Sequence, residues 1–140
     1  MDLPRIKGDP ERIRQILINL LGNAFYYTPS NGMVNLKVHR LGEEIQVDIK
    51  DNGVGIPPKE QERIFDRFYR GENHMVIATA GTGLGLSIVA KLINMHHGRI
   101  WVQSSGIEGE GSTFSFTLPV YDFSRHAIRM SKDYAENINR

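Results

Sequence analysis

The sequence predicts an α+β domain, a two-layer α/β sandwich with helices on one face of a mixed, mostly antiparallel sheet. Three observations carry this. Apolar residues recur at helical spacing after Asp9 and again from Leu84 to near Gly98. Apolar and polar residues alternate with period two over 34–49 and again over 112–119. Clusters of Gly, Pro, Asn and Ser separate these runs.

The first helix is well marked. Asp9 suits the N-cap, Pro10 the first helical position, and Glu11 the positive end of the helix dipole. Ile13, Ile16, Leu17, Leu20, Leu21 and Ala24 then form one buried stripe. Thr28-Pro29-Ser30-Asn31-Gly32 closes it as a loop. Val34, Leu36 and Val38 face one way, and after the turn "LGEE" so do Ile45, Val47 and Ile49, which reads as an antiparallel hairpin with one buried face. "DNGVGIPP" (51–58) interrupts it, and "KEQERIFDRFYR" (59–70) has a helical look, with Ile64, Phe65 and Phe68 on one side. Residues 71–82 lack a period and read as a mobile loop. The helix from Leu84 ends near Gly98, a candidate left-handed C-cap. "RIWVQSS" (99–105) and "STFSFTLP" (112–119) are strands, the latter setting Phe114, Phe116 and Leu118 against Thr113, Ser115 and Thr117. These elements make one domain over 1–120, followed by a polar tail over 121–140, a linker or short helix.

Composition narrows the function. The 140 residues suit one core. A formal charge of +1, from 17 Lys and Arg against 16 Asp and Glu, argues against nucleic acid as a partner. With no cysteine there are no disulfides or thiolate metal sites. No apolar run approaches the ~18 residues of a membrane span, and "MDLPRIKGDPER" is not a signal peptide. That opening reads as a domain boundary within a longer chain.

"AGTGLGLSIVAKLINMHHG" (80–98) crowds glycines at a helix start, which suggests an anion near free backbone N–H groups. The spacing excludes two familiar sites. A dinucleotide fingerprint needs G-x-G-x-x-G, yet Gly81, Gly83 and Gly85 are followed by Leu86 where the last glycine belongs. A P-loop needs Gly-Lys-Ser/Thr, which the chain lacks.

Asn19 and Asn23, four apart, share one side of the first helix at the edge of its apolar stripe, near Tyr27. They are hydrogen-bonded structure or ligands, since an amide oxygen can serve Mg²⁺. Asp51 falls in phase with Ile45, Val47 and Ile49, so a buried face delivers a carboxylate that needs a donor. The donor is either an adenine amine or a backbone N–H of the following turn. Gly53 and Gly55 would let a flat ring approach the backbone. Arg67 and Arg70 are a solvated basic face or reach a phosphate. His96 and His97 read as surface or capping residues.

Taken in order, "NLLGNAFYYTP" (19–29), "DNGVGIP" (51–57), "RIFDRFYR" (63–70), "GTGLGLSIV" (81–89) and "GSTFSFTLP" (111–119) closely resemble the ATP-binding catalytic domain of sensor histidine kinases. They correspond to that family's N, G1, F and G2 boxes and closing strand, and cover about residues 9–119. The resemblance implies the Bergerat fold of the GHKL ATPases. It implies that Asn23 holds Mg²⁺ with Asn19 in support, and that Asp51 accepts from the adenine amine. Gly53, Gly55 and Thr113 would complete the base pocket, Thr113 through water, with Tyr27 lining it. Arg70 would reach the terminal phosphate, and Gly81, Gly83, Leu84 and Gly85 would offer N–H groups to the phosphate chain. Catalysis would rest on Asn23 and Arg70, because phosphoryl transfer asks mainly for positioning and charge neutralisation.

The resemblance also implies partners. None of the five histidines has the family's "H-E-L-R-T-P"-like context: His39 lies in a strand run, His74 in the lid and His126 in the tail. The acceptor histidine is expected on an N-terminal dimerisation domain outside this chain, together with the family's usual first edge strand. A response regulator receiver domain would take the phosphate from that histidine. The isolated domain is expected to be a monomer and the full-length protein a homodimer. The implied location is cytoplasmic, with the full-length protein able to be anchored in the inner or plasma membrane.

There is one departure from the pattern. Tyr26 stands where the family often has a basic residue, which points to weaker phosphate affinity or a lower rate. The lid is unusually apolar, and Met75, Val76 and Ile77 are expected to pack on the nucleotide site or on the missing domain. Rival classes fit less well. Water-activating ATPases of the gyrase type place a glutamate where this chain has Asn19, and an amide cannot take the proton. A serine kinase of the anti-sigma type is disfavoured by the full F box. The remaining alternative is a non-catalytic nucleotide-binding or docking module, for which Tyr26 is the best argument.

Overall fold

The computed structural model describes residues 2–67 and 85–138, with the backbone alone over 123–127. Elements follow in the order α1 (Pro10–Tyr27), β1 (Val34–Leu41), β2 (Glu44–Asp51), α2 (Pro58–Gln61), α3 (Gly85–Met95), β3 (Arg99–Ser104), β4 (Ser112–Pro119) and α4 (Phe123–Ile138). The four strands form one sheet in the order β1-β2-β4-β3, and every neighbouring pair is antiparallel. α1 and α3 lie side by side against this sheet. The two-layer architecture expected from the sequence is the one found.

The core lies between the layers. Ile16, Leu20 and Ala24 of α1 and Val89 and Ile93 of α3 meet Val47, Ile49, Phe114 and Phe116 of the central strands. Truncating a fully buried aromatic such as Phe116 to alanine costs ~3–5 kcal/mol at comparable sites. The Asp9 side chain accepts from the Glu11 N–H at 3.0 Å, and Pro10 occupies the first turn. Just past the end of β4, Ile6 forms an isolated bridge with Val120, and the Tyr121 N–H donates to the Arg5 carbonyl at 2.8 Å.

Three local expectations change, and the capping reading of His96 gains its partners. Leu36 is exposed rather than inward-facing, because β1 is the outer strand and the helix layer does not reach over it. α2 is a single turn, and residues 62–67 do not continue the helix expected over 59–70, of which Phe68, Tyr69 and Arg70 lie outside the described residues. After it, Arg63 and Asp66 donate to carbonyls three residues back, and this turn path lets both Ile64 and Phe65 pack inward, Phe65 edge-on to Phe114 at 6.2 Å. The left-handed residue closing α3 is His97, with φ 64°, while Gly98 sits where a Cβ would strike the Thr117 carbonyl. His96 is a bridge between helices: its Nδ1 donates to the Leu92 carbonyl at 2.8 Å and its Nε2 accepts the Asp9 N–H at 3.1 Å. A carbonyl can only accept, which assigns the ring proton to Nδ1.

In the tail, α4 spans Phe123–Ile138, and its residues from Ile128 onward are exposed. No helix among the described residues is long and apolar enough to cross a membrane.

Candidate functional site

α1 delivers Asn19, Asn23 and Tyr27 along one side, at i, i+4 and i+8. Asn23 is 3% exposed and Tyr27 6%, while Asn19 is half-buried. The end of β2 delivers Asp51, which is 2% exposed and in phase with Ile45, Val47 and Ile49 as the alternation requires.

Three donors reach the Asp51 carboxylate from protein. The Gly53 N–H donates to Oδ1 at 2.9 Å and the Ser112 N–H to the same oxygen at 3.3 Å. The Ser112 hydroxyl donates to Oδ2 at 3.0 Å. A carboxylate offers about four acceptor positions, so Oδ2 keeps one that no described residue fills. The backbone donor weighed against an adenine amine is therefore present, and one acceptor position of the carboxylate stays unfilled by the described residues. Charge buried this deeply is tolerable only because those donors surround it.

The Tyr27 hydroxyl is the second feature. It is buried and has no hydrogen-bond partner among the described residues. Burial pushes its pKa upward, and Tyr26 and Asp51 nearby add to the effect, so it stays a neutral donor at every ordinary pH. An unsatisfied buried hydroxyl is costly and calls for a polar partner, a water or a ligand atom. Tyr27 also lines a cavity of about 350 Å³, together with Tyr26, Thr28, Pro29, Asn52, Gly53, Val54, Glu108 and Gly109; Asp51, Asn23 and Asn19 are not among its lining residues. Tyr26 is 46% exposed and packs edge-on against Tyr27, with ring centroids 5.7 Å apart.

The glycines serve the protein before any ring. A Cβ on Gly53 would lie 2.2 Å from the Tyr27 carbonyl oxygen, so only glycine lets the end of α1 seat on the Asp51 loop. Gly55 has φ 76°, and its Cβ would meet the Ser104 hydroxyl at 3.1 Å.

Thr113 is not in this pocket. β4 alternates, so Thr113 turns to the open face of the sheet with Lys50, Gln103 and Ser115. Ser112, one residue earlier, faces Asp51 instead. Its phase with Phe114, Phe116 and Leu118 was the signal that identifies it. Gly85 is the first residue of α3. Arg70, Gly81, Gly83, Leu84, His74 and the apolar lid with Met75, Val76 and Ile77 lie outside the described residues. Among the described residues no cluster of three or more His, Asp or Glu side chains could hold a metal.

Comparisons with known proteins agree with this fold. Residues 8–122 match the family model described as histidine kinase-, DNA gyrase B- and HSP90-like ATPase. The adaptive-response sensory kinase SasA of Thermosynechococcus vestitus is 47% identical over 122 residues, covering 86% of this chain and 31% of SasA. The chain thus spans about a third of the length of that relative. The solved catalytic domain of histidine kinase ThkA superposes with a TM-score of 0.70 at 34% identity, covering 83% of this chain and 72% of that one. ThkA solved in complex with the response regulator protein TrrA gives a TM-score of 0.67 at 33% identity, covering 86% and 31%. By sequence and by fold, the chain belongs to the histidine kinase-, DNA gyrase B- and HSP90-like ATPase family, as a catalytic domain of the histidine-kinase kind.

Proposed function

We propose that this domain binds ATP with Mg²⁺ and positions the γ-phosphate for transfer to a histidine on a helical dimerisation domain outside these residues. The observation that carries the reading is the Asp51 carboxylate, buried, held by Gly53 and Ser112, and still open to one donor. The adenine amine fits that position and the Tyr27 hydroxyl supplies a donor nearby, while Gly53, Gly55 and Gly85 contribute backbone. Asn23, supported by Asn19, would hold Mg²⁺, whose role is to neutralise phosphate charge. Arg70 and the N–H groups of Gly81, Gly83 and Leu84 would meet the phosphates. His39 lies in β1, His96 bridges α1 and α3, and His97 caps α3, which favours an acceptor from another domain. The catalytic unit is residues 1–120, and 121–140 is an appendage. A response regulator, like that bound to ThkA, would take the phosphate onward in a homodimeric, cytoplasmic or membrane-anchored sensor.

Calorimetric titration with a non-hydrolysable ATP analogue, with and without Mg²⁺, tests the binding step. Micromolar to submillimolar affinity that strengthens with Mg²⁺ is the expected result. Transfer of labelled phosphate to an added histidine-bearing domain tests the kinase step. Binding without transfer would favour a non-catalytic nucleotide-binding module, the reading that Tyr26 in place of a basic residue supports.

A further inference from the structure

The Ser104 hydroxyl, at the end of β3, uses all three of its hydrogen-bonding positions on loop backbone. It accepts the Ile56 N–H at 2.9 Å and the Gly106 N–H at 3.2 Å, and it donates to the Gly111 carbonyl at 2.7 Å. The Gln61 amide works on the same joint: its Nε2 donates to the Ile56 carbonyl at 2.9 Å and to the Ser104 carbonyl at 2.7 Å. Ile56 is thereby gripped at both its N–H and its carbonyl.

The two segments joined here are those that build the base pocket. Ile56 ends the loop that begins at Asp51, and Gly111 immediately precedes Ser112, whose N–H and hydroxyl hold the Asp51 carboxylate. The segments already touch closely, since a Cβ on Gly111 would lie 2.0 Å from the Asp51 carbonyl oxygen. Gly109 adds a third tie, its N–H donating to the Gly53 carbonyl at 2.9 Å.

We propose that Ser104, assisted by Gln61, is a positioning residue of the nucleotide pocket: it ties the Asp51–Ile56 loop to the Gly111–Ser112 turn and so sets the aim of the open Asp51 oxygen at the base. This rests on the ATP reading above. Neither side chain touches the nucleotide; they act through Asp51 and Ser112. The aim matters because Asp51 tells an amine from a carbonyl on the purine, attracting the first and repelling the second. A loosened joint therefore weakens base selection more than phosphate binding.

The experiment titrates the 140-residue chain and its variants with non-hydrolysable analogues of ATP and GTP, with and without Mg²⁺, alongside thermal melts. Ser104→Ala leaves two N–H groups and one carbonyl without partners. Its affinity for the ATP analogue should fall roughly tenfold, its preference for ATP over GTP should shrink, and its strengthening by Mg²⁺ should match the parent. Ser104→Thr retains the hydroxyl and should restore the preference. Gln61→Met removes both amide donors at similar length and should show the same signature more weakly. Unchanged affinity and preference in Ser104→Ala would overturn the proposal, as would an equal loss for both analogues. If Ser104→Ala does not fold, Gln61→Met decides, and parent-like preference there sinks the idea. A parent chain that binds neither analogue removes the ATP reading itself, a separate result.

Discussion

β2 carries two aspartates three residues apart, and each accepts a hydrogen bond from a serine hydroxyl of β4. Asp51 pairs with Ser112 at 3.0 Å and Asp48 with Ser115 at 2.6 Å. Only their faces differ. Asp51 points toward the helix layer, where α1 and two loops bury it. Asp48 points to the open face, where Gln46 also donates at 2.9 Å and the His39 Nδ1 lies 3.7 Å away. The same pair is thus the proposed base acceptor on one side of the sheet and a partly exposed network on the other. What makes a site is burial with one acceptor left open, since water satisfies the same carboxylate on the open face at no cost.

Breaking the buried pair should have the largest effect. Asp51→Ala removes the base acceptor, and losing a charged hydrogen bond of ~1.5–3 kcal/mol lowers ATP affinity about 10–100-fold. Parent-like affinity by calorimetry would show that the pocket is not where the base binds. Next comes the adjacent pair on β4. Ser112→Ala should weaken ATP binding about five- to tenfold by freeing Asp51 Oδ2 from its holder, whereas Thr113→Ala, on the open face, should leave it unchanged. The reverse ranking would mean that β4 is read in the wrong phase.

A smaller gain is expected from Tyr26→Lys, which places a cation beside the cavity. ATP affinity should rise by a few-fold at low salt and the gain should fade at high salt, as for an exposed charge. A loss of affinity instead would mean that the edge-on Tyr26–Tyr27 pair is holding the pocket wall.

The smallest effect belongs to the open-face aspartate and appears only in stability. Burial works against ionising Asp48, but hydrogen bonds from Ser115 and Gln46, with His39 and Lys37 nearby, hold its carboxyl below the ordinary value. A carboxyl with a lowered folded-state pKa contributes stability above its unfolded value, near 3.9, and loses it as pH falls through the folded value. Asp48→Asn should therefore flatten the acid limb of the melting temperature below about pH 4 and leave ATP affinity untouched. A change in affinity would show that the two faces of β2 are coupled.

Much of this was legible from spacing. The Asp9 cap, the stripe of α1, and the alternation of β2 and β4 come from local physics, because cap geometry and side-chain periods need no distant partner. The burial of Asp51 followed from its phase alone. The phase of β4, carried back one step from Phe114, would have marked Ser112 as inward-facing, but the motif match pointed one residue further, to Thr113. A motif read as a string does not carry the direction of a side chain.

What only the tertiary structure decided involves residues far apart in the chain. Leu36 is exposed because β1 is at the edge, which is a property of strand order. α2 stops after one turn because Ile64 and Phe65 both find core partners. His96 caps a helix 87 residues away. Gly53 is glycine because the end of α1 arrives there, and Ser104 matters because Ile56 and Gly111 meet at its hydroxyl. Local sequence determines which groups each segment offers; long-range packing determines which of them are left with a bond to give.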